Sequence, residues 1–258
     1  MIYILFILGL FFGSFLNAWV WRTKVSLSVA RGRSMCTACK KQLVWYDNIP
    51  LFSFLFLRGK CRKCEKNISM QYPVVEFVTG GLFLFVAWYY QVSFASMSFV
   101  SLEFFRDIGI IFFLIAIFIY DLLYKEIWDR WTIFPAAVLF ILAIMFGWHS
   151  WHSMLIGIAI GAGFFLLQYI VSRGKWIGGG DIRLGVFMGV ILGWPQILLA
   201  LMLAYISGAF IGIILILMKK KKLASETPFG TYLALATFVT MFWGERIVAW
   251  YLSLIKYV

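Results

Sequence analysis

Acidic residues are scarce in this sequence. Its 258 residues include 11 Asp and Glu against 23 Lys and Arg, and charged residues make up only 13% of the chain. Hydrophobic residues make up 63%, whereas a soluble domain of this size carries roughly 45–50%. The surplus is too large for a buried core and has to face lipid. So little charge excludes an ordinary soluble protein and indicates an integral membrane protein.

The alternation of apolar and polar residues that marks a membrane β-barrel is also lacking. Apolar residues occur instead in continuous runs, most of them near the length of about 20 residues that a membrane helix needs. The runs lie at about 2–21, 74–92, 107–124, 132–148, 153–171, 182–194, 196–218 and 229–255. The sequence therefore predicts an all-α polytopic membrane protein with about eight transmembrane helices. The run at 182–194 is short and ends before Pro195, which predicts a sharp turn or a re-entrant hairpin there.

Residues 1–20 lack the positively charged start and the small-residue cleavage site of a signal peptide, so we expect an uncleaved first helix. Basic residues follow it, between Arg22 and Lys66, and recur at 219–222. Because cytoplasmic loops carry the excess of Lys and Arg, this pattern places the N-terminus outside the cytoplasm and the 22–66 loop inside. Anionic membrane lipids are the expected partners of these charges. No nucleic-acid recognition module accompanies them, so no nucleic-acid partner is expected.

The chain has only four cysteines, and all lie in the basic loop, at Cys36, Cys39, Cys61 and Cys64. Two C-x2-C pairs at this separation are typical of a tetrahedral zinc site, and four thiolates leave no open position for catalysis. Two disulfides or a redox pair are the alternatives, and the expected cytoplasmic location disfavours disulfides. We therefore predict a structural zinc domain at 22–72, between a first transmembrane helix at 1–21 and a transmembrane core at 73–258.

Two acidic residues lie where apolar runs end on the predicted cytoplasmic side: Asp121, and Asp181 after the glycines Gly178, Gly179 and Gly180. Acids at such positions are functional candidates. The glycines are expected to interrupt the helix, to use backbone conformations closed to other residues, and to leave room for a peptide beside Asp181. Two structural alternatives remain: Asp121 could pair with Lys125, and Asp181 could cap a helix that begins at Ile182.

Two carboxylates held close together cannot both ionise at neutral pH, and the resulting half-protonated pair is the machinery of an aspartic peptidase. Two other classes compete with this interpretation. A transporter also uses broken helices and buried acids, but near the membrane midplane. A non-catalytic scaffold that presents a zinc module would explain the cysteines but not the two aspartates.

Five ordered segments resemble the type IV prepilin peptidase family, bacterial aspartic peptidases of the GxGD kind. They are GSFLN at 13–17, the cysteine-bearing stretch 36–76, IYDLLYKEIWD at 119–129, GGGDIRL at 178–184 and PFGTYLAL at 228–235. The chain departs from the family pattern at three positions. Trp128 replaces a usual proline, Arg183 a usual lysine, and Thr231 the final proline of a usual PFGP. We interpret Asp129 as a structural residue that orders a helix end.

The resemblance implies that Asp121 and Asp181 are the catalytic pair, and that the enzyme removes the basic leader of prepilins or pseudopilins. Cleavage would follow a glycine and precede the mature N-terminal residue, usually phenylalanine. The resemblance places the protein in the bacterial cytoplasmic membrane, with substrate entering from the cytoplasmic side. Many family members also methylate the new amino group with S-adenosylmethionine, and peptidase activity alone is the alternative. Ser14, Asn17 and Glu76, polar residues in or near spans, are the candidate contacts for that cofactor.

Overall fold

The chain folds almost entirely into α-helices. The computed structural model describes residues 2–29, 31–92, 101–219 and 227–255, and over these ranges it holds nine α-helices and no strand beyond two isolated bridges. The helices are α1 (Ile2–Lys24), α2 (Phe52–Phe56), α3 (Gln71–Tyr89), α4 (Leu102–Tyr124), α5 (Ile133–Phe146), α6 (Trp151–Ser172), α7 (Gly179–Leu192), α8 (Gln196–Leu217) and α9 (Phe229–Ile255). Two 3-10 turns, Trp45–Asn48 and Asp129–Trp131, lie in loops.

Among the described residues, seven helices are long and apolar enough to cross a membrane: α1, α3, α4, α5 with the turn before it, α6, α8 and α9. The all-α membrane fold is thus confirmed. The predicted span at 182–194 corresponds to α7, whose 14 residues reach about 21 Å at 1.5 Å per residue, short of a roughly 30 Å hydrocarbon core. Of the basic run at 219–222, Lys219 follows α8, and the other three lysines lie outside the described residues.

The chain divides into two compact units, residues 1–112 and 113–258. In the first unit, α1 and α3 pack antiparallel through small residues. A Cβ added to Gly9 would lie 2.7 Å from the Cα of Gly80, and one added to Gly13 would lie 2.7 Å from the Cα of Glu76. Glycine removes these collisions and lets the two backbones touch, which is how membrane helices associate without a hydrophobic driving force between them.

The loop between α1 and α3 is organised around Arg22, which is only 7% exposed. Its guanidinium donates to the backbone carbonyls of Ser28, Val29, Arg31, Gly32 and Arg33. A guanidinium has five N–H donors and no acceptor, so a ring of carbonyls is well suited to surround it. Arg22 therefore holds in place the loop residues that precede the cysteines. This structural role is separate from the effect of its positive charge on membrane orientation.

In the second unit, the 14-residue helix α7 is enclosed by other helices, so it does not have to be long enough to span the bilayer. Its side chains from Leu184 to Leu192 are buried, apart from partial exposure of Val186. It packs antiparallel against α6 through glycines: a Cβ on Gly161 would lie 2.6 Å from the carbonyl oxygen of Gly185. A helix that is apolar all round and enclosed by other helices can be shorter than the bilayer. The predicted turn after it is confirmed, since Gly193 has φ 61° and α8 begins at Gln196.

Candidate active site

Asp121 lies in the last turn of α4 and is 4% exposed. One of its carboxylate oxygens, Oδ2, accepts a 2.8 Å hydrogen bond from the backbone N–H of Thr231, and the N–H of Gly230 also donates to this carboxylate. Both donors belong to the first turn of α9. The first backbone N–H groups of a helix have no partner within it and carry partial positive charge, so they form a natural site for a carboxylate.

Asp181 is the third residue of α7 and is 8% exposed. Its Oδ2 accepts a 3.2 Å hydrogen bond from the backbone N–H of Gly178, the residue that caps the helix. The helix thus begins at Gly179, three residues earlier than the alternative start at Ile182. Asp181 does stabilise the helix start, as that alternative supposed, but from the third helical position, as in a capping box.

Three segments that are distant in sequence bring the two aspartates together. The connection after α4 places Ile127 against the starts of both α7 and α9. A Cβ on Gly180 would lie 2.8 Å from the Cβ of Ile127, and one on Gly230 would lie 2.9 Å from its Cδ1. Two buried carboxylates, each held by a helix N-terminus, therefore lie beside helix starts that both pack on Ile127.

The three glycines before Asp181 do not work as the sequence suggested. None of them has a positive φ, so the expectation of a glycine-only backbone is wrong. The helices are interrupted between Ser172 and Gly179, but Gly179 and Gly180 already belong to α7. Gly180 is required because the side chain of Ile127, rather than another backbone, fills the place of its Cβ. Nothing lies within 4 Å of a Cβ built on Gly179, and that side of the turn is open.

The PFGT segment at 228–231 has no physical role that the sequence alone reveals. The structure gives it one: Gly230 allows α9 to approach Asp121, since a Cβ added there would lie only 3.0 Å from Oδ2, and Thr231 supplies the N–H. The signal that could have found it is a Pro-Phe-Gly start on an apolar helix, since such starts expose unpaired amides. Asp129, expected to order a helix end, begins the turn before α5 and forms an ion pair with Arg183 of α7.

The four cysteines form one cluster in the first unit. Their sulfur atoms all lie within 4.8 Å of one another, and the Sγ atoms of Cys36 and Cys64 are 3.9 Å apart. Zinc–sulfur bonds of about 2.3 Å in a tetrahedron place the sulfurs about 3.8 Å apart. The cysteines are free rather than disulfide-bonded. The cluster could therefore hold a metal.

The two C-x2-C pairs fold in the same way. The backbone N–H of Cys36 donates to Lys41, and that of Cys61 donates to Lys66, each closing a tight turn. The residues Lys40 and Glu65 take left-handed conformations at φ 58° and 55°. Backbone N–H groups of Cys64 and then Lys63 donate to the sulfur of Cys61 and lower the pKa of that thiol to about 6. The thiolate, which is the metal-binding form, is thereby favoured.

Of the candidate cofactor contacts, Ser14 and Glu76 touch each other and Asn17 lies apart. Glu76 is 7% exposed, and its carboxylate accepts a 2.8 Å bond from the backbone N–H of Leu51 and another from the Ser14 hydroxyl. The amide of Asn17 donates to the carbonyl of Tyr72 and accepts from the side chain of Gln71. Asn17 thus fastens the start of α3 to α1.

A buried carboxylate that sequence reasoning missed is Asp107, in the first half of α4. It is 3% exposed and accepts from the hydroxyl of Tyr90 and from Arg106, each at 2.7 Å. The partly buried base at 106 was the available signal, because a buried acid is normally paired with a base. Asp107 therefore has its charge balanced by the adjacent base.

Helices that cross a membrane and two buried aspartates at helix ends define a polytopic membrane protein with an acidic centre, of the class that includes membrane aspartic peptidases. Comparison with known proteins specifies the family. The Bacterial Peptidase A24 N-terminal domain matches residues 7–90, and the Type IV leader peptidase family matches residues 108–213, which include both aspartates. The chain belongs to the type IV leader peptidase family, and it is an enzyme.

Curated relatives are similar over nearly the whole chain. A Prepilin leader peptidase/N-methyltransferase of Bacillus subtilis is 31% identical over 255 residues, covering 98% of this chain and 99% of the relative. Proteins of the same name from Legionella pneumophila and Stutzerimonas stutzeri are 30% and 29% identical and cover 90% and 96% of this chain. These matches cover 79% and 92% of those relatives. No solved structure is significantly similar to the chain.

Proposed function

We propose that this chain is a membrane aspartic endopeptidase that removes the leader peptide of type IV prepilins and pseudopilins. The observation that carries the proposal is the burial of Asp121 and Asp181 at one end of the second unit, each bonded to a helix N-terminus. Support comes from relatives named Prepilin leader peptidase/N-methyltransferase that match almost the full chain.

In this reaction the two carboxylates share one proton. The ionised member takes a proton from a water molecule, whose oxygen attacks the carbonyl carbon of the scissile amide. The protonated member donates to the carbonyl oxygen. When the carbon–nitrogen bond breaks, the carboxyl that took the proton from water gives it to the departing amine, and the other carboxylate takes a proton back from a hydroxyl of the diol as the new carboxyl group forms. The pair titrates as a unit, so the roles of general base and general acid are not assigned to one aspartate or the other.

The leader is proposed to lie beside the turn formed by Gly178, Gly179 and Gly180. Support comes from the open side of Gly179, where an extended backbone could approach Asp181 without meeting a side chain. Backbone N–H groups in the first turn of α7 would then lie near the scissile carbonyl, where they could stabilise negative charge as it develops.

The alternative of an ion or proton transporter is not favoured. Asp121 lies one turn from the end of α4, and Asp181 and the Gly230–Thr231 donors lie in the first turns of their helices. A transport site formed by broken helices lies near the membrane midplane. These aspartates lie at helix ends, which suits a substrate that approaches along the membrane face.

We place the protein in the bacterial cytoplasmic membrane, with the N-terminus outside and the aspartates and cysteine loop inside. The support is the excess of Lys and Arg between residues 22 and 66 together with the positive-inside rule. Prepilins and membrane lipids are the proposed partners. A substrate leader that is itself basic would stay on the cytoplasmic side for the same reason.

We propose that residues 22–72 form a zinc domain in which Cys36, Cys39, Cys61 and Cys64 hold one structural Zn2+. The support is sulfur spacing that matches a zinc–thiolate tetrahedron. With four sulfur ligands the metal has no open position, so it holds the loop in shape and activates no water.

The second proposed reaction is methylation of the new N-terminal amine by S-adenosylmethionine. When bound, the cofactor supplies a methyl group on a sulfonium. The lone pair of the new amine would accept this methyl group, and the proton of the amine would leave to solvent. Ser14 and Glu76 are the proposed contacts, and Asn17 positions them by fixing α3 on α1.

The test is incubation of the purified protein with a prepilin and S-adenosylmethionine, followed by mass spectrometry of the product. We expect loss of the leader after a glycine and a gain of one methyl group on the new N-terminus. Cleavage without methylation would indicate that the protein has peptidase activity only. An intact prepilin in the presence of folded protein would contradict the proposal.

A further inference from the structure

The first unit contains a cavity of about 420 Å³ between α1, the cysteine loop and the start of α3. Cavities that bind small molecules typically measure roughly 300–1,000 Å³. Ser14 and Glu76 line it, and Asn17 does not. We propose that this cavity is the binding site for S-adenosylmethionine, an inference that rests on the proposed methyltransferase function.

One wall of the cavity contains the buried carboxylate of Glu76, which can accept further hydrogen bonds. Glu76 accepts from the N–H of Leu51 and the hydroxyl of Ser14. A carboxylate has about four acceptor positions, so two remain for the hydroxyls of a ribose or the ammonium of an amino acid. Leu51 holds its N–H toward Glu76 in a turn with φ 60°, a conformation that non-glycine residues rarely adopt. Such strain persists only where the surrounding structure fixes it, and it concentrates at binding sites.

The aromatic rings that line the cavity already attract cations. Lys40 places its Nζ 4.9 Å from the ring centre of Trp21, and Arg62 lies 5.2 Å from that of Tyr46. The electron-rich face of an aromatic ring attracts a sulfonium by the same electrostatic effect. Flat ring faces also stack on a purine. The cavity therefore offers both the cation partner and the stacking partner that an adenosyl sulfonium requires.

Basic side chains complete the set of partners. Lys41, Lys63 and Lys66 line the cavity, and they can pair with the carboxylate of the methionine portion. A carboxylate, aromatic rings and ammonium groups in one cavity match the ribose, sulfonium and zwitterionic amino acid of S-adenosylmethionine. Cys36 and Cys61 also line the cavity. The metal-binding loop therefore forms part of its wall.

The test measures binding directly, with no prepilin present. Isothermal titration of the full chain in detergent with S-adenosylhomocysteine, the unreactive product, should show one saturable site. Glu76→Gln keeps the size of the side chain and removes its charge, and Trp21→Leu removes the ring. We expect each to raise Kd by at least about tenfold, as the loss of a charged hydrogen bond or a cation–aromatic contact implies.

The matched controls lie outside the cavity. Glu103→Gln changes an exposed carboxylate at the start of α4, and Trp88→Leu changes a tryptophan near the end of α3 that is 67% exposed. Both should leave Kd within about twofold of the wild-type value, as expected for exposed side chains far from the ligand. If Glu76→Gln does not fold, as judged by metal content, Trp21→Leu carries the test alone.

Two outcomes would overturn the proposal. The first is a Kd that is unchanged in both cavity variants. The second is a wild-type protein that methylates prepilin while an azido derivative of S-adenosylmethionine labels peptides only outside residues 14–76. Leader cleavage is assayed separately. Cleavage without any binding of S-adenosylhomocysteine would therefore refute the proposed binding site but not the proposed peptidase function. Binding without cleavage would contradict the proposed peptidase function and leave this site standing.

Discussion

The backbone N–H of Thr231 donates a 2.8 Å hydrogen bond to Oδ2 of Asp121. The bond joins the last turn of α4 to the first turn of α9, across more than a hundred residues of sequence. It places a buried acid on the positive end of a helix, where its negative charge is stabilised. The PFGT segment therefore positions Asp121 in the proposed catalytic centre. Its contribution can be tested by substituting residues of the segment while both aspartates are kept.

Gly230→Ala is expected to impair leader cleavage. The new Cβ would lie 3.0 Å from Oδ2 of Asp121 and 2.9 Å from Cδ1 of Ile127, so α9 or the acid has to move. Small displacements of a catalytic group cost on the order of 10- to 100-fold in kcat/KM. The measurement is the rate of prepilin cleavage. Gly163→Ala on α6, where a Cβ meets nothing within 4 Å, is the control. Equal rates for both variants would show that α9 does not position Asp121.

Gly161→Ala is expected to destabilise the second unit. Its Cβ would lie 2.6 Å from the carbonyl oxygen of Gly185, at the contact between α6 and α7. Overpacking of this kind costs roughly 1–3 kcal/mol. Thermal unfolding in detergent measures it, and Gly163→Ala, two residues further along the same helix, again serves as control. An unchanged unfolding temperature for Gly161→Ala would mean that α6 and α7 are not in backbone contact.

The paired substitution Cys36→Ser/Cys39→Ser is expected to abolish metal binding. Wild-type protein should carry about one zinc per chain, since four thiolates complete one tetrahedron. Loss of the metal should also expose the basic loop to trypsin, because metal binding and folding are coupled in such domains. Elemental analysis and limited proteolysis are the measurements, with Thr37→Ala as a control within the same turn. A wild-type protein without zinc, and with thiols that react only after reduction, would indicate disulfides.

Much of the fold follows from the sequence because the signals are local. Each long apolar run became a helix within a few residues of its predicted bounds, and Pro195 marked a turn. The helix α7 differed because its short length depends on enclosure by other helices, and a run of apolar letters does not reveal which residues face lipid. Its start was misplaced because Gly179 and Gly180 are poor helix formers, while the capping bond between Asp181 and Gly178 favours an earlier start.

The same distinction between local signals and tertiary packing applies to the two candidate sites. The cysteine cluster was predictable because each C-x2-C turn is complete within a few residues. The surroundings of Asp121 were not, because Gly230 and Thr231 reach it only through tertiary packing. The role of Gly180 depends on the position of Ile127, and the burial of Glu76 depends on the turn at Leu51. A residue's neighbours in the chain do not reveal such partners.

The central claim is that Asp121 and Asp181 together cleave the leader. The most direct measurement is prepilin processing in cells that co-express the substrate with Asp121→Asn or Asp181→Asn, each of which preserves the size of the side chain. Both variants should insert in the membrane at wild-type levels and leave the prepilin uncleaved. Processing at close to the wild-type rate by either variant would contradict the claim.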